Sequence, residues 1–191
     1  MNKSMMWWII GLVLLALIVI LGINLMNPGS EPLATGTDTT ATTTTNSIKT
    51  IPSETRAGET VFAIAGSISG ASKFASLLSS TGVNTSVGTT TYTIFVPTDT
   101  AFNKTPAGYL SGLSSVEKKR LVQYHIIEGR AIDTDKIEFG TIQTMSNDAL
   151  NFSVDLNKIP NVNSSNIVKQ YKAKNGIVYV IDSVLLPPIK K

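Results

Sequence analysis

A strand that turns directly into a helix is the feature of this sequence that most constrains its fold. From Tyr92 to Phe102 the chain reads Tyr-Thr-Ile-Phe-Val-Pro-Thr-Asp-Thr-Ala-Phe. Aromatic and β-branched residues alternate over the first half, which predicts a strand. Pro97 ends that strand because proline cannot donate to a ladder, and Thr98 or Asp99 can cap a following helix. Phe102 then faces back toward the strand, so we expect the folded part of the chain to pack around this corner.

Apolar residues at helical spacing lie on both sides of the corner. They predict helices over Glu59–Ser67 and Ala71–Ser80 before it. After it, Ser114-Ser-Val-Glu117 is a capping box that begins another helix, because the Ser114 hydroxyl and the Glu117 carboxylate can each bond the other's amide. The side chains that this helix should turn inward are Val116, Leu121, Val122 and Tyr124.

Strand patterns dominate the C-terminal third of the chain. Thr141–Met145 and Ala149–Val154 are predicted to form a hairpin. Asn175-Gly176 is a turn sequence typical of hairpins, and Ile177–Ile181 follows it as a strand. Helices come first and strands later, which indicates an α+β fold rather than a parallel α/β fold.

Residues 5–26 carry no charged side chain and are long enough to cross a hydrocarbon core of about 30 Å. Trp7-Trp8 stands at the N-terminal edge, where indole rings favour the headgroup region. Lys3 precedes the run and no Lys or Arg follows it until Lys49. The positive-inside rule therefore predicts a single-pass protein of the cell membrane, with residues 1–4 in the cytoplasm and the remainder outside.

A cleaved signal peptide is the alternative interpretation of this run. Its apolar core would be about 7–15 residues long and would end in a small-x-small site. Here the core is longer and leaves through Asn24-Leu-Met-Asn-Pro28. The pattern therefore favours an uncleaved signal-anchor.

Residues 27–55 are rich in Thr and Pro, which predicts a linker between the anchor and a domain over residues 56–191. Such a composition buries too little apolar surface to offset the entropy of ordering the chain. One interpretation is a spacer that holds the domain away from the membrane. The other is an O-glycosylated stalk, which the same composition permits.

Composition excludes several classes of function. There is no cysteine, so disulfides and thiolate chemistry are absent. The net charge is +3 without a basic stripe interleaved with aromatics, so we expect no nucleic-acid partner. The sequence has no nucleophile elbow and no phosphate-binding glycine loop, so we expect no catalytic residue, no cofactor and no enzyme activity.

Acidic and imidazole side chains are too few to predict a metal site. His125 is the only histidine, and one imidazole cannot form a His cluster. Asp133, Asp135 and Glu138 lie close in sequence but lack the spacing of an EF-hand loop. Asp99 is interpreted as a helix cap rather than a catalytic acid, and Asp182 as support for the turn before Val184.

Two segments and a dipeptide between them resemble the fasciclin (FAS1) family. Tyr92–Phe102 is similar to the first sequence block of that family, and Gly176-Ile-Val-Tyr-Val-Ile-Asp-Ser-Val-Leu-Leu-Pro187 is similar to the second. Tyr124-His125 stands at the usual place of the family's Tyr-His motif. The likeness extends over about Arg56–Pro187. It implies a wedge-shaped β-sandwich of two sheets with several helices packed on it, preceded here by the transmembrane helix.

The resemblance also implies a function in adhesion. Tyr124 and His125 match the motif associated with binding in animal members, although a structural role in the core is the competing interpretation. The Asp-Ile motif associated with integrin recognition falls on Gln170-Tyr171, which argues against an integrin-type partner. Pro97, Thr98, Asp99, Phe102, Gly176, Asp182 and Pro187 are expected to be architectural.

The resulting hypothesis is an extracellular, membrane-anchored adhesion module that binds a surface protein or glycan. The first alternative is a structural protein of the cell envelope without a specific ligand. The second is a module that binds a small apolar ligand or lipid between its helices and its sheet.

Overall fold

The computed structural model of the chain describes residues 48–83, 90–133 and 140–189. The predicted cytoplasmic segment 1–4, the predicted span 5–26 and the linker up to residue 47 lie outside these ranges. Within them, no helix combines the length and the apolar character needed to cross a bilayer.

The described ranges contain five helices and eight strands. The helices are α1 (Val61–Ser67), α2 (Ser72–Thr81), α3 (Asp99–Asn103), α4 (Tyr109–Gly112) and α5 (Ser115–Tyr124). The strands are β1 (Ser53–Arg56), β2 (Tyr92–Pro97), β3 (Ile126–Glu128), β4 (Gly140–Gln143), β5 (Ala149–Val154), β6 (Pro160–Val162), β7 (Ser165–Ala173) and β8 (Gly176–Ile181).

All eight strands belong to one mixed sheet. Its order is β3-β2-β8-β7-β6-β5-β4, and β1 pairs with β7. The pairs β2–β8 and β1–β7 are parallel, and the other pairs are antiparallel. The predicted α+β class therefore holds. The predicted sandwich of two separate sheets is wrong, because β7 is long enough to pair with β6 near its start and with β1 near its end.

The sheet curls until its two ends nearly meet. The amide of Met145, just after β4, donates to the carbonyl of Ile126 in β3 over 2.8 Å. These two strands are the opposite ends of the strand order. The result is a nearly closed barrel with the helices packed outside it.

Both faces of the central strands are buried, and each face belongs to a different core. Tyr92, Ile94 and Val96 face the helices and form a core with side chains of α1, α2 and α5. Phe95 faces the interior of the curled sheet. In β8 the same alternation sends Val178 and Val180 to the helices. Ile177, Tyr179 and Ile181 face the sheet interior.

A bulge in β7 lets this strand contribute side chains to both cores. Ile167 pairs with Ile181, but the next pair is Lys169 with Val180, so Val168 is an extra residue. Because side chains alternate along a strand, one inserted residue reverses the faces that follow. Ile167 therefore lies in the sheet interior, whereas Tyr171 lies in the helix-facing core.

Three local predictions need correction. Strand β1 (Ser53–Arg56) begins inside the stretch predicted to be linker, because its parallel pairing with β7 comes from a distant part of the chain. Val116, predicted to point inward, is 78% exposed. The turn between β7 and β8 consists of Lys174 and Asn175, and Gly176 is already the first residue of β8. The predicted hairpin of β4 and β5 is confirmed.

Candidate recognition surface

The strand-to-helix corner forms as predicted, with Thr98 as the N-cap. Pro97 is the last residue of β2. The Thr98 hydroxyl accepts the amide of Ala101 at 3.1 Å, and the Thr98 amide donates to the carbonyl of Ile181 in β8. Phe102 is buried against the helix-facing core. This corner therefore joins α3 to both central strands.

Asp99 caps a helix other than its own. Its carboxylate accepts the amides of Ser72 and Lys73 at 3.1 and 2.8 Å, and the Ser72 hydroxyl at 2.9 Å. These are the first residues of α2, whose own N-cap residue, Ala71, offers no side-chain bond. The Lys73 amide lowers the pKa of the Asp99 carboxyl, with help from Ser72. The two helices are thereby connected by a cap that is distant in sequence.

Gly176 is required by the close approach of β2 to β8. It has a φ of +146°, and a Cβ there would lie 1.9 Å from the carbonyl oxygen of Tyr92. Only glycine fits such a position, because the obstructing atom belongs to the backbone of the central strand. The residue therefore fixes the parallel pairing of the two family-like blocks.

Asp182 holds together the ends of β7 and β8. Its carboxylate accepts the amide of Asn166 at 3.0 Å and the hydroxyl of Ser183 at 3.1 Å. The Nζ of Lys104, the residue after α3, lies 3.6 Å from the Oδ2 of Asp182. Burial raises the pKa of the Asp182 carboxyl, but the hydrogen bonds to Asn166 and Ser183 and the charge of Lys104 outweigh burial and lower it overall.

Tyr124 lies in the sheet-interior core and is 2% exposed. Its hydroxyl donates to the carbonyl of Ala149 at 3.0 Å and accepts the side-chain amide of Asn163 at 2.7 Å. These contacts connect α5 to β5 and to the turn before β7. A partner could reach the ring only if the domain opened.

His125 is 0% exposed and connects α5 to the segment after β8. Its Nδ1 lies 2.8 Å from the carbonyl of Leu121, and its Nε2 accepts the amide of Leu185 at 3.1 Å. Nε2 must be unprotonated to accept, so Nδ1 carries the proton. Burial lowers the pKa of His125 to about 4. The ring is therefore neutral at neutral pH.

The segment after β8 contains no strand within the described residues, so the sheet ends at Ile181. This segment is held against α5 by His125 and by Arg120. Arg120 donates to the Asp148 carboxylate at 2.8 Å and to the carbonyl of Pro188 at 2.7 Å.

Gln170 and Tyr171, at the position of the integrin-associated motif, are 2% and 6% exposed. They lie in β7 between β8 and β1. Asp133 forms a 2.6 Å ion pair with Lys172, and Asp135 and Glu138 lie outside the described residues. No group of three potential metal ligands occurs in the described ranges.

Three open grooves instead surround the short helix α4. The first, of about 590 Å³, lies between α3 and α4 and includes Lys73, Phe102 and Tyr109. The second, of about 440 Å³, lies between α2 and α4 and includes Leu77, Leu110 and Lys118. Leu110 lines both of these grooves, and Tyr109 also lines the first.

The third groove, of about 300 Å³, separates α4 from α5 and the C-terminal segment. Tyr109, Leu113, Arg120, Pro187 and Ile189 line it with Glu117. We define the α4 surface as the lining of the three grooves around residues Tyr109–Gly112.

The α4 surface is apolar at its centre and polar around it. Tyr109 and Leu110 are half-buried, and burial raises the pKa of the Tyr109 phenol. Hydroxyl groups surround them, and among the described residues the first two grooves are lined by lysine but by no carboxylate. The hydroxyl side chains are Ser72, Ser76, Ser80, Thr105 and Ser111.

The sequence pattern did not identify this surface as a site. Tyr109, Leu110 and Leu113 are apolar residues in a turn-rich connection, which is the pattern of a loop anchored to a core. Gly108, at a φ of +78°, sets the direction in which α4 begins. The grooves arise from how α4 packs between α2, α3 and α5, and a single sequence carries no signal for that packing.

Known sequences show the same domain. The family model described as the fasciclin domain matches residues 69–187. Protein sll1483 of Synechocystis is 33% identical over 103 residues, covering 51% of this chain and 56% of that protein. The cell surface glycolipoprotein MPB83 of Mycobacterium bovis is 33% identical over 99 residues, covering 51% of this chain and 44% of that protein. The chain thus spans about half the length of these curated relatives.

A solved structure shows the same fold. It is the FAS1 domain pair of the insect cell adhesion molecule fasciclin I, with a TM-score of 0.50 and 20% sequence identity. The match covers 63% of this chain and 47% of that one.

Proposed function

Because the chain belongs to the fasciclin domain family, we propose that it is a binding module of the cell surface that recognises its partner through the α4 surface. Two of its similar proteins are described by name as a cell surface glycolipoprotein and a cell adhesion molecule. The proposed role is adhesion without catalysis. The uncharged run at residues 5–26 supports a membrane anchor with the domain outside.

The exposure of the α4 surface, against the burial of the motif residues, is the observation that carries this proposal. Tyr124, His125, Gln170 and Tyr171 are all buried. The grooves around α4 are open and present an aromatic ring among hydroxyl groups and lysines. Binding surfaces need accessible groups that a partner can desolvate.

The lining favours an acidic glycan as the partner. Lys73 and Lys118 have no ion-pair partner among the described residues, and the Asp99 carboxylate near Lys73 is occupied by amides of α2. Protein partners usually bind through a few large anchor side chains in well-packed pockets, whereas these grooves are open and rich in hydroxyls. We therefore place carboxylated or sulfated sugars in the grooves, with Tyr109 beneath them.

Binding of the full-length chain to immobilised heparin and hyaluronate tests this proposal. Neutral dextran and poly-glutamate serve as comparison ligands. Lys73→Gln with Lys118→Gln should weaken glycan binding about tenfold, since two exposed ion pairs contribute about 0.5–1 kcal/mol each. Lys119→Gln is the matched control. Lys119 is exposed on α5, the helix that also carries Lys118, but it lines none of the three grooves.

The outcomes separate the alternatives. Equal weakening by the double variant and by the control would contradict recognition at α4. Binding to poly-glutamate but to neither glycan would indicate an acidic protein partner. Binding to none of these ligands, with the fold intact, would favour a structural role in the envelope.

A further inference from the structure

The turn between β5 and β6 holds a leucine fully in solvent. Leu156 is 101% exposed, the highest value among the large apolar residues described. The Asp155 carboxylate accepts the amides of Asn157 and Ile159 at 2.9 and 2.8 Å, and the Lys158 amide donates to the Asp155 carbonyl at 3.0 Å. The backbone therefore fixes the direction of the leucine without any packing of its side chain.

A single exposed leucine is common on protein surfaces, so a function for Leu156 has to be argued from the residues around it. The chain enters the domain beside this turn. The Lys49 amide donates to the Lys158 carbonyl at 2.8 Å, and Ile51 is already buried in the sheet-interior core. The residues that connect to the predicted membrane span therefore leave from the same end of the domain as Leu156.

The connecting length limits the distance between this end and the proposed membrane anchor. The predicted span ends at Met26, and residues 27–47 separate it from the described domain. These 21 residues can extend over at most about 75 Å. With the proposed anchor, the membrane surface is therefore within reach of this end of the domain.

The charge beside Leu156 suits an anionic membrane. Lys49 and Lys158 are both exposed. A lysine near an anionic leaflet strengthens binding about fivefold, and a leucine can enter the boundary between headgroups and acyl chains. The one carboxylate of the turn, Asp155, is occupied by backbone amides.

We propose that Lys49, Leu156 and Lys158 form a membrane-contacting tip that docks the domain on an anionic lipid surface. This inference rests on the proposed membrane anchor and is independent of the α4 surface. The tip lowers the freedom of the tethered domain by giving it a second, weak attachment to the bilayer.

Depth-dependent quenching on the full-length chain tests the tip. The chain has no cysteine, so Asn157→Cys places a single fluorophore beside an intact Leu156. Val116→Cys, at a 78% exposed position of α5, is the matched control. Both labelled chains are reconstituted into phosphatidylcholine vesicles with or without phosphatidylglycerol and with nitroxide-labelled lipids, and flotation verifies attachment.

We expect severalfold stronger quenching at residue 157 than at residue 116, and only when phosphatidylglycerol is present. Leu156→Ser, or Lys49→Gln with Lys158→Gln, should remove the difference at an unchanged melting temperature. Equal quenching at the two positions would overturn the tip. Failure of the chain to float would overturn both the anchor and the tip, while glycan binding at α4 would be unaffected.

Discussion

The C-terminal end of α5 and the surface around α4 are close in sequence but differ in what their side chains face. Tyr124 and His125 are buried and hydrogen-bonded to β5, to the turn before β7 and to the segment after β8. Tyr109 and Leu110 line open grooves. The residues that identify the family therefore stabilise the two cores. The exposed side chains that could bind a partner lie outside the family motifs. Substitutions at four positions, Gly176, Tyr124, His125 and Asp99, test this contrast.

Gly176→Ala should give the largest loss of stability. The new Cβ would lie 1.9 Å from a backbone oxygen of Tyr92, so β2 and β8 could not keep their pairing. We expect a loss of at least about 4 kcal/mol, or no folded protein. Thermal unfolding followed by circular dichroism measures it.

Gly66→Ala is the matched control for this substitution. Gly66 lies in α1 without a positive φ, and a Cβ added there would meet no atom of another element within 4 Å. Alanine should therefore stabilise the helix by about 0.5–1 kcal/mol. A loss below about 1 kcal/mol for Gly176→Ala would contradict the observed approach of the two strands.

Tyr124→Ala should cost about 3–5 kcal/mol, as for other buried aromatic residues. Tyr124→Phe should cost about 1–2 kcal/mol, because the Ala149 carbonyl and the Asn163 amide lose their partner. Urea unfolding measures both. The folded fraction of each variant should bind glycan normally, and a variant that loses binding at full stability would make Tyr124 a contact residue.

His125 should make stability depend on pH between about 6.5 and 4. Its pKa is lowered by burial to about 4, whereas the unfolded chain has a pKa near 6.5. The unfolded state thus binds the proton first, so stability is complete above pH 6.5 and falls as the pH decreases. The loss should reach about 3 kcal/mol at pH 4.

Urea unfolding at a series of pH values checks this dependence. His125→Gln should be less stable at pH 7 but should show a flat profile between pH 7 and 5, above the range in which most carboxylates titrate. A wild-type profile that is equally flat would contradict a buried neutral imidazole.

Asp99→Ala should have the smallest effect, about 1–2 kcal/mol, because α2 loses the cap on its first amides. Hydrogen exchange should show faster exchange at Ser72 and Lys73. Thr98→Ala is the comparison, since it removes the cap of α3 and should accelerate exchange at Ala101. The same exchange pattern in both variants would argue against a cap between the two helices.

Local chemistry made part of this fold predictable from the sequence. The corner at Pro97–Thr98 and the capping box at Ser114 follow from side chains within three residues of the atoms that they bond. The hairpin of β4 and β5 follows from adjacent strand patterns. In each case the partners are neighbours in the chain, so a pattern of residue types is sufficient.

Features that depend on distant partners were not predictable. Asp99 has the sequence context of a local cap, but its acceptor oxygens face α2. β1 has little strand pattern and forms because β7 offers an unpaired edge. Val168 gives no sign of a bulge, although that bulge reverses the faces of β7. The α4 surface was not predictable for the same reason, because its grooves arise from the packing of helices that are distant in sequence.

Hydrogen exchange of the full-length chain with and without bound heparin locates the glycan contact on the folded protein. Recognition at the α4 surface predicts slower exchange in α4 and in the neighbouring residues of α2 and α3, with α5 near Tyr124 and strand β7 unchanged. Slower exchange confined to Tyr124–His125 or Gln170–Tyr171, with α4 unchanged, would contradict it.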